Sequence, residues 1–140
     1  MRHAPCARCH GTDLDAGAYC ELLGWYLGDG HIGWSGRRTP QLAVFTDSRY
    51  PGLVDGVVRL VREVAPGTNP STRQRPGCTV IASSWTHWPC LFPQHAPGRK
   101  HERSIVLEPW QQHLVEQHPG EALTVLRRWL APQNAAGGRA

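Results

Sequence analysis

The chain has 140 residues, of which 40% are hydrophobic, and it carries a formal net charge of +4 at pH 7. This is enough for one modest core, so we expect one domain over residues 13–130, a flexible N-terminus over 1–12 and a disordered tail over 131–140. No stretch approaches the roughly 20 apolar residues that span a bilayer, and residues 1–11 lack the apolar core of a signal peptide. The five cysteines are an odd number, which argues against a disulfide framework. Composition therefore predicts a cytoplasmic protein.

The first predicted element is an apolar helix over residues 15–28, preceded by N-cap candidates in 12–15. Only Glu21 is charged between Ala16 and Gly28. A helix that is apolar almost all round is expected to be buried rather than to lie on the surface.

Two glycines of this helix, Gly24 and Gly28, lie four residues apart on one face, where a second backbone can approach closely. Gly28 and Gly30 offer permissive dihedral angles for a helix stop and flank Asp29. If a twin helix packs on this seam, two such carboxylates meet and require a divalent cation between them. That is the chemistry of a metal-dependent nuclease.

The rest of the chain alternates between hairpins and helices. A hairpin is expected around the connector 36–40, and a second around the turn at residues 75–77. Valines at helical spacing after Pro51 predict a helix between the hairpins that ends at residue 64 and covers one face of the sheet. Proline and glycine exclude regular structure for much of 88–103. The predicted strands are 31–35, 41–46, 71–74 and 78–85, and the later helices are 108–117 and 121–130.

The segment Leu22-Leu-Gly-Trp-Tyr-Leu-Gly-Asp-Gly30 resembles the nonapeptide of the LAGLIDADG homing endonucleases, including actinobacterial LAGLIDADG-like proteins. Gly24, Asp29 and Gly30 fall on the most characteristic positions of that motif, whereas Leu27 replaces its first acid. The segments 85–95 and 97–103 extend the likeness, which covers roughly residues 15–130. The helices and strands follow in the αββαββα order of the family.

The resemblance implies an α+β fold with a twisted antiparallel sheet, helices packed on one face and the concave face in the major groove of double-stranded DNA. It implies Mg²⁺ as cofactor of an active enzyme, with Asp29 as the catalytic residue and Asp29 and Gly28 at the metal. It also implies an intron- or intein-associated double-strand endonuclease.

The excess of basic residues lies between residues 66 and 106, where five of them face only Glu102. A polyanion binding there would explain the bias, and a solvated basic loop is the alternative. The residues expected to reach base edges are arginines of the hairpins, Arg37, Arg38, Arg73 and Arg75, and the polar residues Gln41, Thr72 and Gln74. Arg99, Lys100 and Arg103 are expected to hold phosphates. The full set of expected DNA-binding residues is Arg37, Arg38, Gln41, Arg73, Arg75, Arg99, Lys100 and Arg103.

The chain supplies only one of the two carboxylates that cleavage of both strands needs. The segment from His118 resembles the start of a second motif, but no Asp or Glu follows Glu121. Two explanations stay open. Either two copies of Asp29 meet in a homodimer through the seam at Gly24, Gly28 and Gly30, or the chain is a truncated relic that binds DNA without cutting it.

The N-terminal Cys6-Ala-Arg-Cys9-His10 fits a c-type haem attachment site and also half of a zinc site. His87, Cys90, His95 and His101 could supply the missing ligands, although their spacing is irregular. The default expectation is a mobile N-terminus, with the histidines in packing or DNA contacts. Trp85, Trp88 and Phe92 are expected in the core rather than as a platform for base stacking.

Three functions are therefore compared: a divalent-metal-dependent DNA endonuclease, a non-catalytic DNA-binding transcription regulator on the same fold, and a structural domain without a nucleic-acid role.

Overall fold

The structure, a computed structural model, describes residues 5–34, 39–94 and 106–118. Predictions for the second motif at 121–130 and for the tail lie outside these residues. No helix within the described part has the length and apolar character that crossing a bilayer requires. The helices are α1 (Ala7–His10), α2 (Ala16–Asp29), α3 (Pro51–Val64), α4 (Trp88–Leu91) and α5 (Pro109–Gln117). The strands are β1 (Gly30–Gly33), β2 (Gln41–Asp47), β3 (Ser71–Arg75) and β4 (Cys78–Ser84).

The four strands form one antiparallel sheet in the order β1-β2-β4-β3. Because side chains alternate across a sheet, the pairing assigns each residue to a face. Ile32, Leu42, Val44 and Ile81 share one face and belong to the core cluster with α2 and α3. The predicted α+β architecture, with an antiparallel sheet and helices packed on one face, is confirmed.

The opposite face, called the open face below, is defined by the register of the pairs. Its polar members lie on the edge strands β1 and β3 and at the ends of β2 and β4. Ala43, Phe45 and Val80 occupy its middle, and of these Ala43 and Val80 are buried. The described helices contact the other face. The complete open face consists of His31, Gly33, Gln41, Ala43, Phe45, Asp47, Ser71, Arg73, Arg75, Cys78, Val80, Ala82 and Ser84.

Helix α2 is the centre of the core, as its sequence predicts. The Asp15 side chain caps it by accepting a hydrogen bond from the Ala18 amide at 3.1 Å, and nine of its fourteen residues are buried. The hydroxyl of Tyr19 donates to the carbonyl of Leu91 at 2.6 Å, and the Tyr26 ring stacks on Phe92 at 4.8 Å between centroids. These contacts attach the segment after β4 to α2.

The aromatic residues after β4 lie in the core, which confirms the expectation for Trp85, Trp88 and Phe92. Trp85 and Trp88 pack edge to face at 5.0 Å between ring centroids. The expected lack of regular structure from residue 88 is wrong for α4, because Pro89 stands in the first helical turn, where its missing N–H is no loss. Buried Trp88 and Leu91 then hold this turn against the core.

The predicted role of glycine in stopping α2 is also wrong. Gly30 has an extended backbone with φ −122°, and Gly28 does not have a positive φ. Gly30 is needed for space, because a Cβ there would lie 2.9 Å from the Cα of Tyr26 and 3.1 Å from the carbonyl oxygen of Ala43. The chain therefore passes directly from α2 into β1 through a contact too close for a side chain.

The N-terminal segment has more structure than the sequence predicts. Residues 7–10 form one helical turn, and Cys6 before it is fully buried in the core cluster. The guanidinium of Arg8 lies 4.4 Å from the ring centroid of Trp110 in α5. Burial of Cys6 and this cation–π contact are long-range interactions that local composition does not reveal.

Candidate functional site

Asp29 is the last residue of α2, as the sequence predicts, and its side chain is exposed. It lines a cleft of about 450 Å³ at the place where the end of α2, the end of β2 and the start of α3 meet. Phe45 and Asp47, both on the open face, line the same cleft. The cleft thus connects Asp29 to the open face. Its remaining lining residues are Trp25, Thr46, Tyr50 and Leu53.

Asp47 is a second carboxylate in this cleft, and the sequence did not identify it. Its oxygens accept hydrogen bonds from the Arg49 side chain at 2.7–3.2 Å and from the Arg49 amide at 2.9 Å. The hydrogen bonds from the Arg49 side chain are the main reason why the pKa of Asp47 is lowered. Asp47 is therefore ionised but already bound. The signal in the sequence that could have identified Asp47 is its position at the end of a strand, two residues before Arg49, a spacing typical of a local turn.

One copy of the chain does not fit a complete Mg²⁺ site. Within residues 5–34, 39–94 and 106–118, no group of three or more His, Cys, Asp or Glu side chains that could hold an ion includes Asp29. Gly28, predicted beside the metal, is half-buried and could offer only its backbone carbonyl. Mg²⁺ requires nearly octahedral oxygen coordination, and Arg49 already occupies the other carboxylate of the cleft.

The predicted seam of small residues is only partly accessible in a single copy. Gly24 is buried, Gly28 is half-buried and Asp29 is exposed. The close approach at Gly30 is made within the chain, to the backbone of Tyr26 and Ala43. A second copy could therefore reach the last turn of α2, but not Gly24, without moving what already covers it. Dimerisation stays a prediction.

The expected DNA-binding residues divide into three groups. Gln41, Arg73 and Arg75 stand on the open face, and both arginines are exposed. Thr72 and Gln74 pair with Ile81 and Thr79 and stand on the other face, so the prediction that they read bases from the open face is wrong. A strand places neighbouring residues on opposite faces, which the prediction did not apply to β3. The remaining five, Arg37, Arg38, Arg99, Lys100 and Arg103, lie outside the described residues.

A second cluster gathers Cys6, Cys9, His87 and Cys90, whose potential ligand atoms all lie within 4.8 Å of one another. His87 and Cys90 are among the four candidates that the sequence offered as the missing ligands of a zinc site at Cys6 and Cys9. His95 and His101, the other candidates, lie outside the described residues.

The haem interpretation of this segment does not fit the structure. Attachment of haem requires accessible thiols, and Cys6 is fully buried. His10 would be an axial ligand, but its Nδ1 accepts a hydrogen bond from the Cys6 amide at 2.9 Å.

No family model matches the chain, and no curated protein matches its sequence. Among solved structures, the chain is similar to mesophilic variants of the homing endonuclease I-DmoI, with a TM-score of 0.42 and 13% identity over 84% of this chain and 76% of that chain. It is also similar to I-DmoI in complex with DNA and Ca, with a TM-score of 0.42 and 14% identity over 86% of this chain and 73% of that chain. Membership of a family is therefore a proposal for this chain.

Proposed function

We propose that this chain is a DNA-binding protein of the LAGLIDADG type that places the open face of its sheet against double-stranded DNA. The observation that carries the proposal is the alignment of Gln41, Arg73 and Arg75 on the sheet face opposite α2 and α3, with both arginines exposed. Asp29, the acid of the segment that resembles the LAGLIDADG nonapeptide, lies in a cleft shared with the same face.

The chemistry of the open face suits a nucleic acid. Arg73 and Arg75 alternate along an edge strand that is exposed over its whole length, so both guanidinium groups extend to the same side. Arginine can bind a phosphate or a guanine edge with two parallel hydrogen bonds. Gln41 stands on the other side of β4 and donates to Ser84 at 3.5 Å, a weak contact that leaves its amide available to a ligand.

In this proposal a single copy binds DNA without cutting it. Asp29 is the only acid of the motif, and the neighbouring Asp47 is held by Arg49. A second Asp29 from a partner copy would be needed to complete a site for Mg²⁺, which supplies charge stabilisation in phosphodiester hydrolysis. The single acid favours the non-catalytic regulator over the endonuclease for the isolated chain.

Binding is tested with fluorescently labelled duplex DNA over a series of salt concentrations. We expect the affinity of the wild-type chain to fall steeply with salt, and the variant Arg73→Gln/Arg75→Gln to bind about tenfold more weakly. If both arginines contact phosphates, the slope against the logarithm of salt decreases by about 2.

The matched control is Arg59→Gln/Arg62→Gln on α3, in the helical layer. It removes the same charge, and both residues are exposed. Equal losses of DNA affinity in both variants would mean that only the net charge matters, which would contradict an interface at the open face. Binding that does not depend on salt would contradict the DNA proposal altogether.

Cleavage is tested separately with supercoiled plasmid and Mg²⁺, alongside the molecular mass in solution. We expect no cleavage from a monomer. Cleavage by a dimer that is lost in Asp29→Asn would establish the endonuclease, whereas cleavage that survives this change would contradict the role of Asp29.

A further inference from the structure

We infer that Cys6, Cys9, His87 and Cys90 form a four-coordinate structural zinc site that attaches the N-terminal segment to the segment after β4. This site is independent of Asp29 and of the open face, and its ligands are soft sulfur and nitrogen atoms. Within the described residues, it is the one group of three or more His, Cys, Asp or Glu side chains close enough to share an ion.

Interatomic distances agree with tetrahedral zinc. The Sγ atoms of Cys9 and Cys90 lie 3.5 Å apart, and the Sγ of Cys90 lies 3.5 Å from Nδ1 of His87. A tetrahedron with zinc–sulfur bonds of about 2.3 Å has edges of roughly 3.8 Å, slightly shorter towards a nitrogen ligand. All four ligand atoms lie within 4.8 Å of one another, so a small contraction would bring them around one ion.

Local structure explains why the four side chains converge. Cys6 stands immediately before α1 and Cys9 is the third residue of that helix, while His87 and Cys90 occupy the same positions in α4. Residues three apart on one helical turn lie on the same side. Each short helix therefore presents one pair of ligands, and the contact of α1 with α4 brings the two pairs together.

The imidazole of His87 is held in place by neighbouring rings. It packs edge to face with His10 at 5.3 Å and lies 5.4 Å from the ring of Trp85, between centroids. His10 itself is fixed by the Cys6 amide. The second imidazole thus supports the site from outside, and the ligand set is three cysteines and one histidine.

The choice of zinc follows from the donor atoms. Three thiolates and one imidazole match closed structural zinc sites, in which all four positions are filled by protein. The alternative of a disulfide between Cys9 and Cys90 is distinguishable, because that bond removes two ligands and brings the sulfurs to about 2.05 Å. An ion at this position closes a loop between residues 81 apart in sequence, which constrains the unfolded chain.

The test measures the metal content of the full chain purified under reducing conditions, without added chelator. We expect one zinc ion per chain and, after exchange with Co²⁺, the absorption of tetrahedral cobalt with thiolate ligands. Cys9→Ser is expected to weaken zinc binding by more than roughly 100-fold, because the loss of a residue that only supports a ligand can already cost that much. The matched control Cys78→Ser, on β4 outside the cluster, keeps wild-type metal content.

A second readout uses the unmodified chain, because a ligand variant that fails to fold would also lose its metal. Thiol labelling of the wild type with and without a chelator is expected to expose three additional cysteines when the metal leaves. Metal-free protein whose reduced thiols fail to bind Zn²⁺ or Co²⁺ would overturn the inference. A Cys9–Cys90 disulfide in protein kept reduced throughout would overturn it as well. Neither result depends on DNA binding.

Discussion

The Cys/His cluster and the Asp29 cleft are two places where this protein could hold a cation, and they differ in how much of the site one copy supplies. The cluster has four ligand atoms within 4.8 Å of one another, drawn from two short helices far apart in sequence. The cleft has the motif acid Asp29 and a second carboxylate, Asp47, that is already bound by Arg49.

The difference shows that a sequence motif and a complete site are separate properties. The segment around Asp29 is the stronger sequence signal, yet the described residues of one copy assemble no cluster of ligands around it. The cysteines and His87 form a weak, irregular sequence pattern, yet the fold of a single copy completes their site. The tests below address this contrast, from the largest expected effect to the smallest.

Removal of metal from the cluster should have the largest effect on stability. Since the ligands are assembled only in the folded chain, we expect a chelator to lower the free energy of unfolding by about 3 kcal/mol or more, roughly 10 °C in melting temperature. Calorimetry of the wild type and of Cys78→Ser should show the same decrease. If the chelator left the melting temperature unchanged, the protein would hold no structural metal.

The next test concerns the connection that positions Asp29. Gly30→Ala places a Cβ at 2.9 Å from the Tyr26 backbone, and we expect a loss of about 2 kcal/mol in the free energy of unfolding. The control is Gly33→Ala on the same strand, where the nearest atom is a side-chain nitrogen of His31 at 3.5 Å. Denaturant unfolding of both variants makes the comparison. Equal losses would mean that the junction of α2 and β1 is not close-packed.

A smaller effect is expected from an acid on the open face. Asp47→Asn removes a negative charge beside Arg49 and frees that guanidinium, so affinity for duplex DNA should rise about threefold. Asp55→Asn on α3, in the helical layer, makes the same charge change and should leave affinity unchanged. Titrations of both variants with duplex DNA at a single low salt concentration measure the two affinities. Equal gains in both variants would argue against DNA contact at the open face.

The smallest effect is expected from Mg²⁺ on the isolated chain. Because the cleft offers too few free oxygen ligands, millimolar Mg²⁺ should change the melting temperature of the monomer by less than about 1 °C. Asp29→Asn should behave in the same way. A rise of several degrees in the wild type that Asp29→Asn abolishes would show instead that one copy binds the ion.

Much of the fold could be predicted from local patterns. The cap at Asp15, the apolar run of α2, the valines after Pro51 and the turn before Cys78 each produced the element they predict. The prediction misassigned Thr72 and Gln74, because it placed them on the same face as Arg73 and Arg75, although neighbouring residues of a strand point to opposite faces.

The amino-acid sequence by itself determined the helices α2, α3 and α5, the two hairpins and the single acid at the end of α2, because these follow from periodicity, turn residues and caps within short windows. Only the tertiary structure decided that Asp47 shares the cleft of Asp29 and that Cys6 and Cys9 meet His87 and Cys90. Both arrangements depend on contacts between residues distant along the chain. Such contacts are fixed by packing of the whole core, which no local pattern encodes.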